Sequence, residues 1–288
     1  MTLEFVARGI CVESLSNASG LFATLGFAQA GPSRPITCSA LPGSSEAGAM
    51  PGRYQVLRDG KGVELMLVAF DHADPRSNRQ RRPNNQYGLT HLAFWVEDLE
   101  QAAARWIAAG GTALWHTRAL FQQAQVSLMY TCDTVGTRIE LMQRPAAGSS
   151  FSHSGLCTHD PARSQQFYQA AGFTAGDRFD LQHHSEWLDI INELEDVRLC
   201  AQMVVDHKGT TLELLDIQHP ACSGELNRLA LNSYGFNFLV FRSTNLERAA
   251  RLIEEHGGAV HYRADAAGAL HGLSCSDPDG VRLEIVAA

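Results

Sequence analysis

The seven cysteines of this 288-residue chain never fall in C-x-x-C spacing, are odd in number and are scattered from Cys11 to Cys275. Neither a disulfide framework nor a thiolate zinc cluster is indicated, and reduced thiols are expected. Positive charge is scarce as well: 23 Lys and Arg stand against 31 Asp and Glu, a formal charge of -8 that repels a phosphate backbone. The one basic cluster, RSNRQRR at 76–82, is short, lies between two periodic regions and reads as a solvated linker, so nucleic acid is not an expected partner. No apolar run approaches the roughly 20 residues that span a bilayer. The start, MTLEFVARGICVESL, lacks the basic segment and clean apolar run of an export signal. A cytoplasmic protein with no membrane partner is the expectation. Stretches such as GSSEAG and AGALHGLS lack a phosphate-loop Lys-Ser/Thr ending or a dinucleotide fingerprint and read as turns. No Ser-His-Asp or Cys-His arrangement has the local context to nominate a nucleophile.

What the chain does have is apolar residues, 45% of the total, and repetition. Its length allows a substantial core and about two domains. THLAFWV at 90–96 is a short apolar, aromatic-rich run that predicts a strand. EDLEQAAARWIAA at 97–109, acidic at its start and rich in alanine, predicts a helix stopped by Gly110-Gly111. Strands are then expected around 112–117 and 125–131 and at TRIELMQ, 137–143. The fourth quarter repeats the order with NFLVF at 237–241, LERAARLIEEHGG at 246–258, AVHYR, GLSCSDPDG and RLEIVAA. In the first quarter LEFVARGICV leads to SGLFATLGF at 19–27 and GVELMLVAF at 62–70. In the third, SHSGLCTHDPARSQQFYQAAGF at 152–173 leads through RLCAQMVVD to TTLELLDI at 210–217. Helix ends sort the quarters into two classes, Gly26-Phe27 with Gly172-Phe173 and Gly110-Gly111 with Gly257-Gly258. A duplicated half, itself internally duplicated, accounts for this, giving two domains, 1–146 and 147–288, of two βαβββ modules each. One module leaves a sheet face uncovered, so the expected α+β fold has four βαβββ modules paired into two curved half-barrel cups.

This arrangement resembles the vicinal oxygen chelate superfamily, which includes glyoxalase I, extradiol dioxygenases, methylmalonyl-CoA epimerase, and fosfomycin and bleomycin resistance proteins. The resemblance covers essentially the whole chain through the repeated units. Asp277, Pro278, Asp279, Gly280 and Glu284 resemble the C-terminal strand signature of that superfamily.

Aligned by their helix starts, the units place Ala7, His91, His153 and Asn237 at equivalent first-strand positions. Their last strands carry Glu64, Glu140, Glu213 and Glu284 in the apolar settings VELM, IELM, LELL and LEIV. A glutamate facing a dry core is costly, so four at matching positions imply a hydrated or metal-bearing sheet face. The resemblance implies that these positions hold a metal, with imidazoles and carboxylates gathered from several strands and coordination positions left for water or substrate. Two pairings are open. Joining unit one to two and three to four groups Glu64, His91 and Glu140 with Ala7, and His153, Glu213 and Glu284 with Asn237. Joining two to three assembles the full set of His91, Glu140, His153 and Glu213. The short RPAAGSSF link between those units, against long connections at 71–87 and 218–235, favours the second pairing.

The nominated metal ligands are therefore His91, Glu140, His153 and Glu213, around one divalent ion (iron, nickel, zinc, manganese or cobalt). Glu140 and Glu213 are the nominated catalytic residues. The resemblance implies a metal-dependent isomerase, epimerase or lyase acting on a small oxygenated or aromatic molecule through an enolate-like intermediate. One alternative is an extradiol-type dioxygenase, from whose pattern the chain departs because Asn237 stands where a second histidine belongs. The other is a binding or resistance protein using flat surface from Trp95, Trp115, Tyr130, Phe167, Tyr168, Trp187, Phe236 and Phe238. His183, His184 and Glu186 in LQHHSEWLD form a further cluster on an expected loop. A monomer or homodimer fits the duplicated chain.

Overall fold

The computed structural model of the chain describes residues 3–46, 48–72, 82–145, 148–224, 229–266 and 269–288. The expected domain boundary at 146/147 and residues 76–81 of the basic cluster lie outside the described residues. Unit one comprises β1 (Glu4–Cys11), α1 (Leu15–Ala23), the two-residue β2 (Ala28–Gln29) and β3 (Arg34–Pro35), β4 (Gly52–Arg58) and β5 (Glu64–Phe70). Unit two comprises β6 (Gly88–Val96), α2 (Leu99–Ala108), β7 (Thr112–Phe121), β8 (Val126–Cys132) and β9 (Arg138–Gln143). Unit three has β10 (Ser150–Cys157), α3 (Pro161–Ala170), β11 (Thr174–Leu181), an additional helix α4 (Glu186–Asn192), β12 (Arg198–Val205) and β13 (Thr211–His219). Unit four has β14 (Gly235–Ser243), α5 (Leu246–Glu255), β15 (Ala259–Ala266), β16 (Ala269–Ser276) and β17 (Arg282–Ala287).

The same local chemistry recurs in all four units. Ser14, Asp98, Asp160 and Asn245 cap α1, α2, α3 and α5, each side chain accepting the backbone N–H three residues on. The chain leaves those helices through Gly26, Gly110, Gly172 and Gly257, all at positive φ, which a side chain would resist. The turn before each last strand is built on an aspartate that accepts the N–H groups two and four residues ahead. These are Asp59 with Lys61 and Val63, Asp133 with Val135 and Thr137, Asp206 with Lys208 and Thr210, and Asp277 with Asp279 and Val281.

In every unit the first and last strands pair in parallel, β1 with β5, β6 with β9, β10 with β13 and β14 with β17. That leaves one edge of each first strand free. The free edges meet in two antiparallel seams, β6 with β10 and β1 with β14. Units two and three thus share one sheet, ordered β11-β12-β13-β10-β6-β9-β8-β7, and units one and four share the other, β15-β16-β17-β14-β1-β5-β4-β2 with β3 on β4. The expected curved half-barrel cups do not form. Joining first strand to first strand extends each sheet in a line and leaves two outer edges unpaired, so the sheets are open.

Side chains from both sheets and from α1, α2, α3 and α5 merge into one apolar core. Phe22 of α1 packs edge-on against Trp106 of α2, with ring centroids 5.8 Å apart, and also meets Phe94 of β6. Trp106 is fully buried and donates its indole N–H to the Cys132 carbonyl at 2.9 Å; burying such a side chain contributes about 2–3 kcal/mol. Between the sheets, Arg8 of β1 is buried between Phe5 and Phe151 and donates to the Ser154 hydroxyl at 2.8 Å. Burial pushes its guanidinium down to about 9. Among the described residues no helix is long and apolar enough to cross a membrane.

Asp277 carries a pH signature. Its carboxyl is pushed up to about 7, by burial first and then by Asp279, despite accepting hydrogen bonds from two backbone N–H groups and from Tyr168. An unfolded aspartate titrates near about 3.9. The folded state therefore holds this proton more tightly, and the stability it contributes is full below about pH 4 and lost as pH rises through about 7. Asp277→Asn keeps an acceptor for the two N–H groups, and its urea midpoint is expected to fall less than the parent's between about pH 5 and about pH 8. Equal falls in both proteins would show that Asp277 does not carry the effect.

Candidate metal centre

The seam between β6 and β10 brings together two histidines that are 62 residues apart in the chain. Each sits on a first strand and precedes its helix cap by seven residues, His91 before Asp98 and His153 before Asp160. Glu140 on β9 and Glu213 on β13 follow their turn aspartates, Asp133 and Asp206, by the same interval. Parallel pairing places Glu140 beside Ala93 and Glu213 beside Gly155, two residues beyond each histidine, so all four side chains rise from the same face.

Their polar atoms converge. His91 Nε2 lies 3.2 Å from His153 Nε2. Glu140 Oε2 is 3.7 Å from the first nitrogen and 3.5 Å from the second, and Glu213 Oε2 is 3.5 and 3.4 Å away. The other ring nitrogens face neighbouring hydroxyls, His91 Nδ1 at 3.0 Å from Thr90 Oγ1 and His153 Nδ1 at 3.2 Å from Ser152 Oγ. Such second partners can fix the tautomer that leaves Nε2 free to act as a ligand. The ring of His91 also rests on Gly155, where an added Cβ would come within 2.2 Å of the imidazole.

Burial and mutual charge set the protonation states. Burial drives the His91 imidazole down to about 3, with the attraction of Glu213 too weak to offset it. Burial likewise pushes Glu140 up to about 7, opposed by His153 and reinforced by Glu213. For His153 burial favours the neutral ring, but Glu213 and Glu140 together outweigh it and its pKa is raised. Glu213 faces the same burial, and the charge and hydrogen bond of His153 overcome it to hold the carboxylate below its usual range.

The ligand atoms of His91, Glu140 and His153 all lie within 4.8 Å of one another, a three-residue site that can chelate a divalent metal. Their separations of 3.2, 3.7 and 3.5 Å form a near-equilateral triangle. Its centre is about 2.0 Å from each corner, against metal–nitrogen and metal–oxygen distances of about 2.0–2.2 Å. The residues fit an ion.

These groups lie in a cavity of about 260 Å³ on the face of the sheet turned away from the common core. Apolar side chains from β8, β9, β12 and β13 form its walls, and α4 covers part of it. Trp187 of that helix stacks on Phe121, with centroids 4.7 Å apart and planes at 26°. The sequence pattern did not anticipate α4, whose seven residues are too few for a clear helical period. His183 and His184 fall on the loop before it, are exposed, and do not line the cavity. Of the aromatic residues expected to offer flat surface, Trp95, Tyr130 and Trp187 line it, Phe167, Tyr168 and Phe236 are in the common core, and Trp115 is exposed.

On the other sheet the equivalent place is filled. Counting seven back from the Asn245 cap gives Phe238, not Asn237, and an added Cβ on Gly9 would meet the Phe238 ring at 2.0 Å, as Gly155 meets His91. Counting seven forward from Asp59 gives Met66, not Glu64. Glu64 instead pairs with Arg58, and the Asn237 side chain donates to the Ser233 carbonyl at 2.6 Å. Ala7, Met66, Phe238 and Glu284 therefore replace His153, Glu213, His91 and Glu140. The first three join an apolar cluster. Glu284 is fully buried and accepts the Gly43 N–H and the Ser274 hydroxyl, both at 2.6 Å, with Arg282 at 3.2 Å. Gly43 belongs to a 3-10 turn, Pro42–Ser45, that covers this face; the sequence reading of GSSEAG as a turn covers part of it.

Four βαβββ units in two open sheets, with imidazoles and carboxylates converging on the seam of one, define a protein with a single candidate metal centre among the described residues. Residues 150–285 match the model of the glyoxalase/bleomycin resistance protein/dioxygenase superfamily. Glyoxalase I from Zea mays is similar in structure at 17% identity, with a TM-score of 0.69 over 99% of this chain and 92% of that one. Two single-residue mutants of the same maize protein match at 18% and 16% identity, each with a TM-score of 0.68 over 99% of this chain and 92% and 94% of theirs. At such identities the likeness is one of fold. No curated protein matches the sequence.

Glycine substitutions separate the two faces. Gly155→Ala is expected to displace His91 and reduce metal uptake, whereas Gly9→Ala, pressed on Phe238, is expected to lower the melting temperature and leave metal uptake per folded chain unchanged. Metal analysis and thermal denaturation of both variants check this.

Proposed function

We propose that the protein is a metal-dependent isomerase, epimerase or lyase acting on a small oxygenated substrate through an enolate-like intermediate. The convergence of His91, His153, Glu140 and Glu213 in a cavity lined mostly by apolar side chains carries this reading. His91, His153, Glu140 and Glu213 would hold the metal. When bound, one divalent ion supplies Lewis-acid stabilisation of negative charge on substrate oxygens. Glu140 and Glu213 handle the proton alpha to the substrate carbonyl. A carboxylate not fully committed to the ion takes and returns that proton, provided the substrate places it within hydrogen-bonding reach. The histidines orient the site, and the apolar walls exclude water that would otherwise compete for the proton.

A second reading, oxygenation of a catechol-like compound at an iron ion, is favoured by the His91, Glu140 and His153 set, which has the composition of a two-histidine, one-carboxylate triad. The second carboxylate, Glu213, within 3.5 Å of both imidazoles, weighs for the first.

Metal content decides first. The parent protein, purified without added metal, is expected to carry about one ion per chain, and folded His91→Ala and His153→Ala variants are expected to lose it together. Loss with His91→Ala alone would sink the shared site, and no metal in the parent after reconstitution would leave a metal-free binding or enzymatic role. Loaded protein is then expected to exchange the alpha proton of a 2-hydroxy ketone with deuterated water, an exchange that Glu140→Gln and Glu213→Gln should each slow by about 100-fold or more. Oxygen uptake with a catechol, in place of exchange, would select the second reading.

A further inference from the structure

The cavity contains charge only at its base. Two carboxylates and two histidines sit there, and among the described residues no Lys or Arg lines the walls. The nearby cations are committed elsewhere. Arg138 is buried, pairs with Glu193 at 2.6 Å, donates to the Arg82 carbonyl at 3.2 Å and lies over the Tyr130 ring. Arg144 is exposed and stacks on the Trp95 ring, with its guanidinium carbon 3.7 Å from the centroid. The walls away from the base are leucines, methionines and aromatic rings such as Phe121, Phe179 and Trp187.

From this lining we infer that the substrate is a neutral, ring-bearing compound whose oxygenated end meets the polar base and whose uncharged ring occupies the apolar cavity beneath α4. The inference rests on the proposed metal site only for the direction in which the substrate lies. An ionised group set among the apolar walls would lose solvation without a counter-charge in the lining, whose carboxylates, Glu140 and Glu213, are of the same sign as an added carboxylate. Size points the same way. A cavity of about 150 Å³ holds a benzene ring, so 260 Å³ admits one substituted ring or two fused rings. Offset stacking and edge contacts on Phe121, Phe179 and Trp187 then favour a flat ring over an aliphatic chain of equal area.

Three probes differing at one position test the inference: 2-hydroxy-1-phenylethanone, its para-carboxamide and its para-carboxylate. The carboxamide matches the carboxylate in size and lacks only its charge. Titration calorimetry is run on the protein as purified, after removal of metal with a chelator, and after reloading. The parent compound and the carboxamide are expected to bind, and the carboxylate to bind at least about tenfold more weakly in all three preparations. Ala201→Leu, which narrows the cavity wall, is expected to weaken the two neutral probes by about tenfold without changing metal content. Equal binding of carboxylate and carboxamide overturns the inference, and so does failure of both neutral probes to bind in every preparation. Preference for the neutral probes in protein that takes up no metal would remove the proposed reaction and leave this assignment standing. Stoichiometric metal with no charge preference would do the reverse.

Discussion

Everything in this molecule follows from the unpaired edge that each βαβββ unit presents along its first strand. A parallel partner satisfies only the other edge, and exposed N–H and C=O groups on a central strand need a mate. The chain supplies one by pairing first strand with first strand, antiparallel, in two seams. Because side chains alternate along a strand, that pairing also decides what faces what. Across one seam it brings two imidazoles within 3.2 Å of each other, and across the other it brings a phenylalanine ring onto a glycine.

The two sheets are therefore one construction with two outcomes. In the first, histidines and glutamates are buried together, burial lowering the proton affinity of His91 and raising that of Glu140, while His153 and Glu213 favour each other's charged form. In the second, methionine, alanine and phenylalanine take three of the four positions, and the remaining glutamate is satisfied by a backbone N–H, a hydroxyl and an arginine. A buried carboxylate needs such partners or an ion. Glu284 has the partners, which accounts for a carboxylate standing where the other three positions are apolar.

Much of this was legible in the sequence because it rested on local rules. The cap, the helix-ending glycine and the strand order repeat with little variation, and so did the expected elements. His91 and His153 stood out because polar residues at the start of apolar strands violate the alternation around them. The errors came where alignment relied on appearance. VELM resembles IELM and LELL, yet Glu64 is out of step, and the Asp-x-x-Gly turn would have revealed it: Glu140, Glu213 and Glu284 lie seven residues after their aspartates, and that place in unit one is Met66. The same count from the Asn245 cap separates Phe238 from Asn237. The shape of the sheets was not legible, since curvature and closure depend on how edges meet across more than a hundred residues. Nor was α4, a short segment that draws its order from packing against β7 and the cavity it covers.

The two seams are also unequal along the direction of synthesis. Units two and three are neighbours in the chain, so the sheet bearing the candidate metal centre can assemble as soon as residue 219 has left the ribosome. Unit one emerges first, yet its partner strands β14 and β17 come last, and the Gly43 N–H waits for an acceptor 241 residues downstream. Contacts of such long range are slow to form. Until β14 arrives, the first-made strand β1 keeps an open edge, the state in which a new chain is most exposed to pairing with the wrong partner. The half that carries the candidate metal centre is thus the early and local half, and the filled half is the closing step.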